Sequence, residues 1–426
     1  MANRKIKKLY ELLVKAGIPC EIIGNALLVN SDCRRVLKLL PPNIIDSCGT
    51  DGPYGINHFG KDWDNFNPQA VTKGTRRKGG AGLSPTMFSG KYDKSRSGAI
   101  RFQHFSYEWA KEVWRILKPG AFLISFCSPK NYHRMATGIQ DAGFEIIDML
   151  QWLCSQGHPY SHNAGMLIDK FLGAEREIVG PNPNRKGRRN WDHNQKNITL
   201  PATKEAKTYE GWGTRLRQSN EPIALARKPL GESNIAKNLF KYGTGIINTE
   251  ACKFGEKRRF PTNTIISEEV ADILGDKAKF FYCPKVSRKE RNAGCEHLVA
   301  KLQNSEGKGR TYNDRCATCG KKFIGSEQTR CNCPKGLKKT DKSVYKNKNH
   351  HPTVKPIALM EYLVKLITPV TPKKDSICLD MFMGSGSTGI SCSNLGIGFI
   401  GVEREKEYFE IAKARIQYWS NLRKVA

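Results

Sequence analysis

Apolar and polar residues alternate along this chain with two distinct periods. Over 1–13, Ile6, Leu9, Tyr10 and Leu13 recur at helical spacing among lysines, which predicts a short basic amphipathic helix. A strand follows over 26–29. Ser31 and Asp32 can cap the next helix, which runs to Leu40 and is stopped by Pro41-Pro42. Residues 44–50 read as a buried strand that delivers Asp51-Gly52-Pro53-Tyr54. Over 106–118 the stripe of Phe105, Trp109, Val113, Ile116 and Leu117 predicts a helix ended by Pro119-Gly120. A strand over 121–127, a helix over 131–142 and a strand over 144–153 come next, and 221–227 and 279–283 read as further strands. The chain ends in the same rhythm, with helix 357–367, strand 376–380, helix 388–394, strand 398–403 and helix 405–419. Strands alternating with helices imply parallel βαβ units and a doubly wound α/β sheet.

Composition changes this picture through charge. The 426 residues hold 70 Lys and Arg against 40 Asp and Glu, a formal net charge of +30. The excess is uneven: residues 73–96 carry +6, residues 181–200 carry +4 and residues 301–349 carry +9. These segments are rich in Gly, Asn, Ser and Lys and lack apolar periodicity, so they read as loops or inserts on a milder scaffold. Basic loops suit a polyanion such as nucleic acid, where phosphate contacts supply much of the affinity. No apolar run approaches the roughly 18 residues of a membrane span, and MANRKIKKLYELL lacks the apolar core of a cleavable leader. Fourteen irregularly spaced cysteines argue for a reducing compartment over a disulfide scaffold. The expected setting is the cytoplasm.

Two segments carry candidate chemistry. In SICLDMFMGSGSTGISCSNLGIGFIGVE (376–403), a strand ends at Asp380, a Gly/Ser loop follows, and a helix begins near Thr388. The glycines allow close backbone approach to a ligand. The next strand ends in Glu403, where a carboxylate can accept from ribose hydroxyls. The loop lacks GxGxxG and Gly-Lys-Ser/Thr, so it points to a nucleoside ligand without pyrophosphate, such as S-adenosylmethionine. In IIDSCGTDGPYGI (44–56), a strand brings a carboxylate, backbone carbonyls beside a proline and an aromatic ring to the carboxyl edge of the sheet. That set can grip an exocyclic amino group while the ring stacks on a base.

The motifs, in their order, resemble the β group of DNA amino-methyltransferases, which methylate adenine N6 or cytosine N4. TDGPYGI (50–56) matches the group's catalytic segment, DMFMGSGST (380–388) its cofactor segment, and HPTVKP (351–356) the stretch before it. NSDCRRVLKLLPPNIIDS (30–47) and FIGVEREKEYFEIAKARI (399–416) resemble the flanking elements. EGWGTRL (210–216) and SRKERNAG (287–294) resemble pieces of methylases common in bacteriophages. The resemblance implies a Rossmann-like methyltransferase fold in permuted order, catalytic half first and cofactor half last. It implies that Asp51 and the Gly52 carbonyl accept from the target amino group, that Pro53 holds the turn, and that Tyr54 stacks on the flipped base. Gly384, Ser385 and Gly386 would lie against the methionine part of S-adenosylmethionine, within a cofactor segment that includes Asp380, Phe382, Ser387 and Thr388. Glu403 would bind ribose, Asp32 the adenine, and Thr353 and Lys355 would lie near the cofactor carboxylate. From the residues alone, Asp32 reads equally well as a helix cap and Lys355 as a surface lysine. Cys48 and Cys127 read as buried strand residues, since direct attack on the sulfonium methyl needs no thiol.

The chain departs from the group twice. Gly52 stands where the group has its first proline, and Met381 replaces the proline after Asp380. Glycine still offers its carbonyl but holds it less rigidly, so proline at 52 is expected to preserve or raise activity. Asp at position 51 is the form usual in adenine-N6 enzymes, and serine in cytosine-N4 enzymes.

The expected domains are a basic helical extension (1–25), the catalytic half (26–230), a target-recognition insert (231–350) and the cofactor half (351–426). Within the insert, Cys316-x2-Cys319 and Cys331-x-Cys333 place four thiolates in two close pairs, which suits structural zinc against the readings of free thiols or another soft metal. The expected function is S-adenosylmethionine-dependent methylation of adenine N6 in double-stranded DNA, in a prokaryotic or phage-infected cell. The alternatives are cytosine-N4 methylation, a DNA-binding relative with weakened catalysis, and an RNA or protein-glutamine substrate, the protein substrate being disfavoured by the charge. Homodimers occur in the group; a restriction partner is not legible.

Overall fold

The computed structural model describes the chain apart from residues 1–2, 57–63, 65, 67–95, 155–160, 183–196, 256, 267–280, 284, 300, 303–313, 317–321, 324–336, 339–345, 370–374 and 426. Ten strands form one sheet: β1 (Cys20–Ile23), β2 (Ala26–Asn30), β3 (Ile45–Thr50), β4 (Leu117–Phe126), β5 (Glu145–Leu153), β6 (Asn220–Arg227), β7 (Thr264–Ile266), β8 (Phe281–Tyr282), β9 (Ile377–Asp380) and β10 (Gly398–Glu403). Their spatial order is β1-β2-β10-β9-β3-β4-β6-β5-β7-β8. Neighbours run parallel except at β1–β2, β4–β6 and β6–β5. The expectation of a parallel doubly wound sheet therefore holds with two reversed strands, β1 and β6.

Both faces of the sheet are covered. On one face lie α1 (Arg4–Lys15), α2 (Cys33–Leu39), α3 (Arg96–Ile116) and α4 (Tyr132–Asp141). There Ile6, Leu9, Trp109, Val113 and Ile139 pack on Leu27, Leu123 and Leu379. On the other face lie α5 (Ile357–Ile367), α6 (Ser387–Leu395) and α7 (Lys406–Val425). Leu359 and Leu363 pack on Ile124 and Phe126, and Ile390 and Ile416 on Leu28 and Phe399. Burial on both faces explains why β2 and β4 read as continuous apolar runs without alternation. Each such Leu or Ile contributes about 1.5–3 kcal/mol by leaving water.

Helix α1 and strand β1 pack into this core. Asn3 caps α1 by accepting from the Lys5 N–H, and Ile6, Leu9 and Leu13 are buried. β1 was missed in the sequence, although Gly24-Asn25 between two apolar runs is a two-residue hairpin signal; Ile23 pairs with Ala26 across it. Helix α3 begins ten residues before the expected start at Ser106, because Gly98 and Phe102 are buried there, a tertiary contact that outweighs the weak helix propensity of serine and glycine.

The two halves of the chain meet between β9 and β3. Cys378 lies beside Ser47 and Leu379 beside Cys48. The Asp46 carboxylate accepts from the Ile377 N–H at 2.8 Å, and the Ser47 and Thr368 hydroxyls are 2.8 Å apart. After β9 the chain passes to β10 on one side; after β3 it passes to β4 on the other. This is a topological switch point, where the carboxyl ends of adjacent strands diverge and leave a crevice. Among the described residues, no helix is long and apolar enough to cross a membrane.

Candidate active site

A cavity of about 580 Å³ opens at that crevice. The turn after β3 and the turn after β9 form its two walls, so Asp51–Tyr54 face Phe382 and Gly384 across it. Asp32, Thr353, Lys355 and Glu403 line it as well.

The β3 turn is held from behind. Asn131 Nδ2 donates to the carbonyls of Tyr54 and Gly55 at 2.8 and 3.0 Å. The Asp64 carboxylate accepts the N–H groups of Gly55 and Ile56 at 2.6 and 3.2 Å. Gly52 lies flat against the Phe382 ring: a Cβ built there would stand 2.8 Å from Cδ2. The departure from proline at this position thus has a steric partner in the opposite wall.

Asp51 belongs to a half-buried cluster of four polar side chains, of which Lys355 is the most enclosed. The Tyr54 hydroxyl donates to Asp51 Oδ1 at 2.8 Å and lies 3.2 Å from Glu221. Lys355 Nζ donates to Asp51 Oδ2 at 2.6 Å and to the Tyr54 oxygen at 3.1 Å, and is 3.3 Å from Glu221. Burial pushes the Asp51 carboxyl above the ordinary range, against the pull of the Lys355 ammonium. Burial works against the Lys355 charge too, but the facing Asp51 and Glu221 outweigh it and hold its pKa above the usual lysine value. Lys355 is buried, not a surface residue, and it contacts Asp51 and Tyr54 of the turn after β3.

Glu221 was not singled out in the sequence. It lies at the start of β6, and β6 runs against its neighbours. Its first residues therefore reach the edge where the parallel strands end. Only the strand's direction makes this position functional; EPIALAR alone reads as a buried strand.

Behind the cavity, five expected site residues shape the β9 loop instead of lining the space. Asp380 accepts from the hydroxyls of Thr50 at 2.8 Å and Thr388 at 2.6 Å and from the Phe382 N–H at 3.1 Å. Burial raises its carboxyl to about 6. Ser385 accepts from the buried Arg415 guanidinium at its carbonyl (2.6 Å) and hydroxyl (3.1 Å). Gly386 stands at the start of α6 with φ 80°. The Ser387 hydroxyl donates to the Lys355 carbonyl at 2.8 Å, which ties the cofactor loop to the HPTVKP segment.

Glu403 faces the cavity from the end of β10. It accepts from the Gly384 N–H and the Glu405 N–H, both at 2.8 Å, while burial raises its carboxyl to about 7. Asp32 caps α2 by accepting from the Arg34 N–H at 2.9 Å, and it also lines the cavity. Cys48 and Cys127 are buried, as expected.

Of the four cysteines read as a zinc knuckle, Cys316 ends a short strand, Asp314–Cys316, paired with Lys322–Phe323 and Leu337–Lys338. Cys319, Cys331 and Cys333 lie outside the described residues, as do the basic segments 73–95 and 183–196 and most of 301–349. Among the described residues, no group of three or more His, Cys, Asp or Glu could hold a metal ion.

Comparison with known proteins adds the following. The N6_N4_Mtase family model, described as DNA methylase, matches residues 45–414. Over 403 residues the chain is 24% identical to type II methyltransferase M.HindIII of Haemophilus influenzae, covering 91% of this chain and 94% of that protein. A 76-residue stretch is 43% identical to type II methyltransferase M2.DpnII of Streptococcus pneumoniae, covering 18% of this chain and 27% of that protein. Among solved structures, the cytosine-N4-specific PvuII DNA methyltransferase is similar at a TM-score of 0.45 and 12% identity, covering 92% of this chain and 86% of that one.

Proposed function

The chain belongs to the N6/N4 DNA methylase family, whose methyl donor is S-adenosylmethionine, and from that premise we propose that it methylates adenine N6 in double-stranded DNA. The observation that carries this reading is the shared cavity. The acceptor turn Asp51–Tyr54 and the glycine turn at Gly384 face one space, with a carboxylate, not a hydroxyl, at position 51.

The residues present fit the donor. Gly384 has φ 53°, and a Cβ there would stand 2.8 Å from His351 Nε2, so only glycine lets this turn line the cavity in its present form. Glu403 is a buried acceptor held by two backbone N–H groups, suited to ribose hydroxyls. When bound, the cofactor supplies an electrophilic methyl group on sulfur. The chain's part is to position and polarise the amino group. Asp51 and the Gly52 carbonyl accept its two hydrogens, which returns lone-pair density to nitrogen. Tyr54 offers its ring to the extruded base, and its hydroxyl bond to Asp51 holds that ring in place. The Lys355 ammonium, 2.6 Å from Asp51, pulls against the burial that raises the Asp51 carboxyl and so favours its ionised, accepting form. Alignment of nitrogen, methyl and sulfur between the two walls does much of the rest.

DNA recognition falls to the basic inserts within 26–230 and 231–350. In the second insert, Cys316, Cys319, Cys331 and Cys333 form a zinc knuckle that presents Lys321, Lys322 and Arg330 to DNA; their spacing and thiolate chemistry support this reading.

The test is direct. The protein is incubated with methyl-labelled S-adenosylmethionine and plasmid DNA, the DNA is digested, and the modified nucleoside is identified. N6-methyladenine is expected. N4-methylcytosine would overturn the base assignment, and absence of label with tight, salt-sensitive binding would overturn catalysis.

A further inference from the structure

The chain just before β6 stands at the rim of the cavity and takes no part in the chemistry described above. Residues 214–219 form no helix or strand, and every residue from Tyr209 to Ser219 is exposed. Both ends of this stretch are fastened. The Trp212 carbonyl accepts from the Ala164 N–H at 2.8 Å, the Thr214 hydroxyl accepts from the His162 N–H at 3.0 Å, and the Ser219 carbonyl accepts from the Cys154 N–H at 2.7 Å. Between these ties lie Arg215, Leu216 and Arg217, with Leu216 93% exposed.

An exposed leucine is ordinary by itself. This one is set apart by its neighbours on the chain. Gln218 lines the cavity, and Glu221 meets Tyr54 and Lys355 there. Two residues of chain span at most about 7 Å, so Leu216 stands beside the cavity mouth. The charge around it suits a polyanion. Over 204–217, Lys204, Lys207, Arg215 and Arg217 stand against two acids, Glu205 and Glu210, and Glu210 is already engaged by Arg176 at 3.1 Å.

A base drawn into the cavity leaves a gap in the duplex. An apolar side chain that enters the stack offsets part of the cost of unstacking, and a cation on either side fits the phosphates next to the gap. We propose that Leu216 enters the duplex and takes the place of the extruded base, while Arg215 and Arg217 hold the flanking phosphates. This rests on the reading of the chain as a methyltransferase that acts on an extruded base in double-stranded DNA.

The experiment begins with the site at which the wild-type protein methylates a plasmid, mapped by sequencing. Synthetic duplexes then carry that site with the target base either correctly paired or mismatched. Leu216→Ala should lower single-turnover transfer on the paired duplex about ten- to hundred-fold, because the gap is no longer filled. On the mismatched duplex, where extrusion costs less, the loss relative to wild type should shrink to about threefold or less. Taking variant and wild type on the same duplex cancels any effect of the mismatch on recognition. Leu216→Met, which keeps apolar bulk, should recover most of the loss. With 2-aminopurine at the target position, saturating wild-type protein should raise the fluorescence and Leu216→Ala should give less than half of that rise. Arg215→Gln and Arg217→Gln should each reduce the slope of log affinity against log salt by about one. Full transfer by Leu216→Ala on the paired duplex, or equal losses on both duplexes, would overturn the proposal. So would a wild-type dimer in sedimentation that Leu216→Ala splits, which would assign this surface to a second copy of the chain. If the wild-type protein transfers no methyl group to the plasmid, the proposed function itself fails and this inference with it.

Discussion

Asp51 engages both carboxylate oxygens before any base arrives, one with Tyr54 and one with Lys355. Each oxygen keeps a further lone pair for the target amino group. Asp51→Ala should lower the methylation rate by about 10²-fold or more while leaving cofactor affinity intact, measured by single-turnover transfer and calorimetry. Lys355 and Glu221 pull on Asp51 in opposite senses, and Tyr54 bonds to its charged form. Lys355→Met removes the main opposition to burial and leaves only the Tyr54 bond, so Asp51 takes up its proton at higher pH. The acid limb of the kcat profile should move up by about one to three units, and an unshifted limb would remove Lys355 from this role. At position 52 the structure reverses the expectation drawn from the family pattern. Phe382 packs against Phe105 and Trp109 with centroids 6.1 and 6.2 Å away, so its ring is not free to yield to a proline ring. Gly52→Pro should destabilise by about 1–3 kcal/mol and reduce transfer, and Phe382→Leu in the same chain should restore part of both. In the ribose role proposed for it Glu403 acts as an ionised acceptor, and burial raises its carboxyl to about 7. Affinity for 5′-methylthioadenosine should therefore rise about tenfold from pH 6 to pH 8, and Glu403→Gln should flatten that dependence.

Elements position these side chains through their ends. The carboxyl ends of β3 and β9 are tied by Asp380, which takes one hydroxyl from Thr50 and another from Thr388 at the head of α6. Thr50→Val and Thr388→Val should each cost about 1–3 kcal/mol in urea unfolding, and the double variant should be non-additive because both donors serve one carboxylate. Most elements were legible because their periodicity is strong: α5 and β10 have the bounds expected, and β3, β4 and α4 differ by a few residues at their ends. Strand direction was not legible. The run over 221–227 reads as a strand in either sense, since a buried strand is apolar whichever way it points, yet its reversal is what brings Glu221 to Lys355.

At the scale of the whole molecule, the charge and the sheet serve different steps. Of the +30, +19 falls in three segments that lack apolar periodicity in sequence, so the proposed grip on DNA can be tested apart from the chemistry. Replacing lysines in 301–349 with glutamine should weaken DNA binding and flatten its dependence on salt while leaving cofactor affinity unchanged. The sequence by itself determined the fold class, the order of the two halves and the turns that follow β3 and β9, because hydrophobic period and local motif are properties of neighbouring residues. Only the tertiary structure decided which side chains share a charge. Lys355 and Asp51 are 304 positions apart and 2.6 Å apart in space, and burial turns that proximity into a buried ion pair. Low-dielectric contacts of this kind depend on how strands from the two ends of the chain pair at the switch point, and no local pattern encodes that pairing.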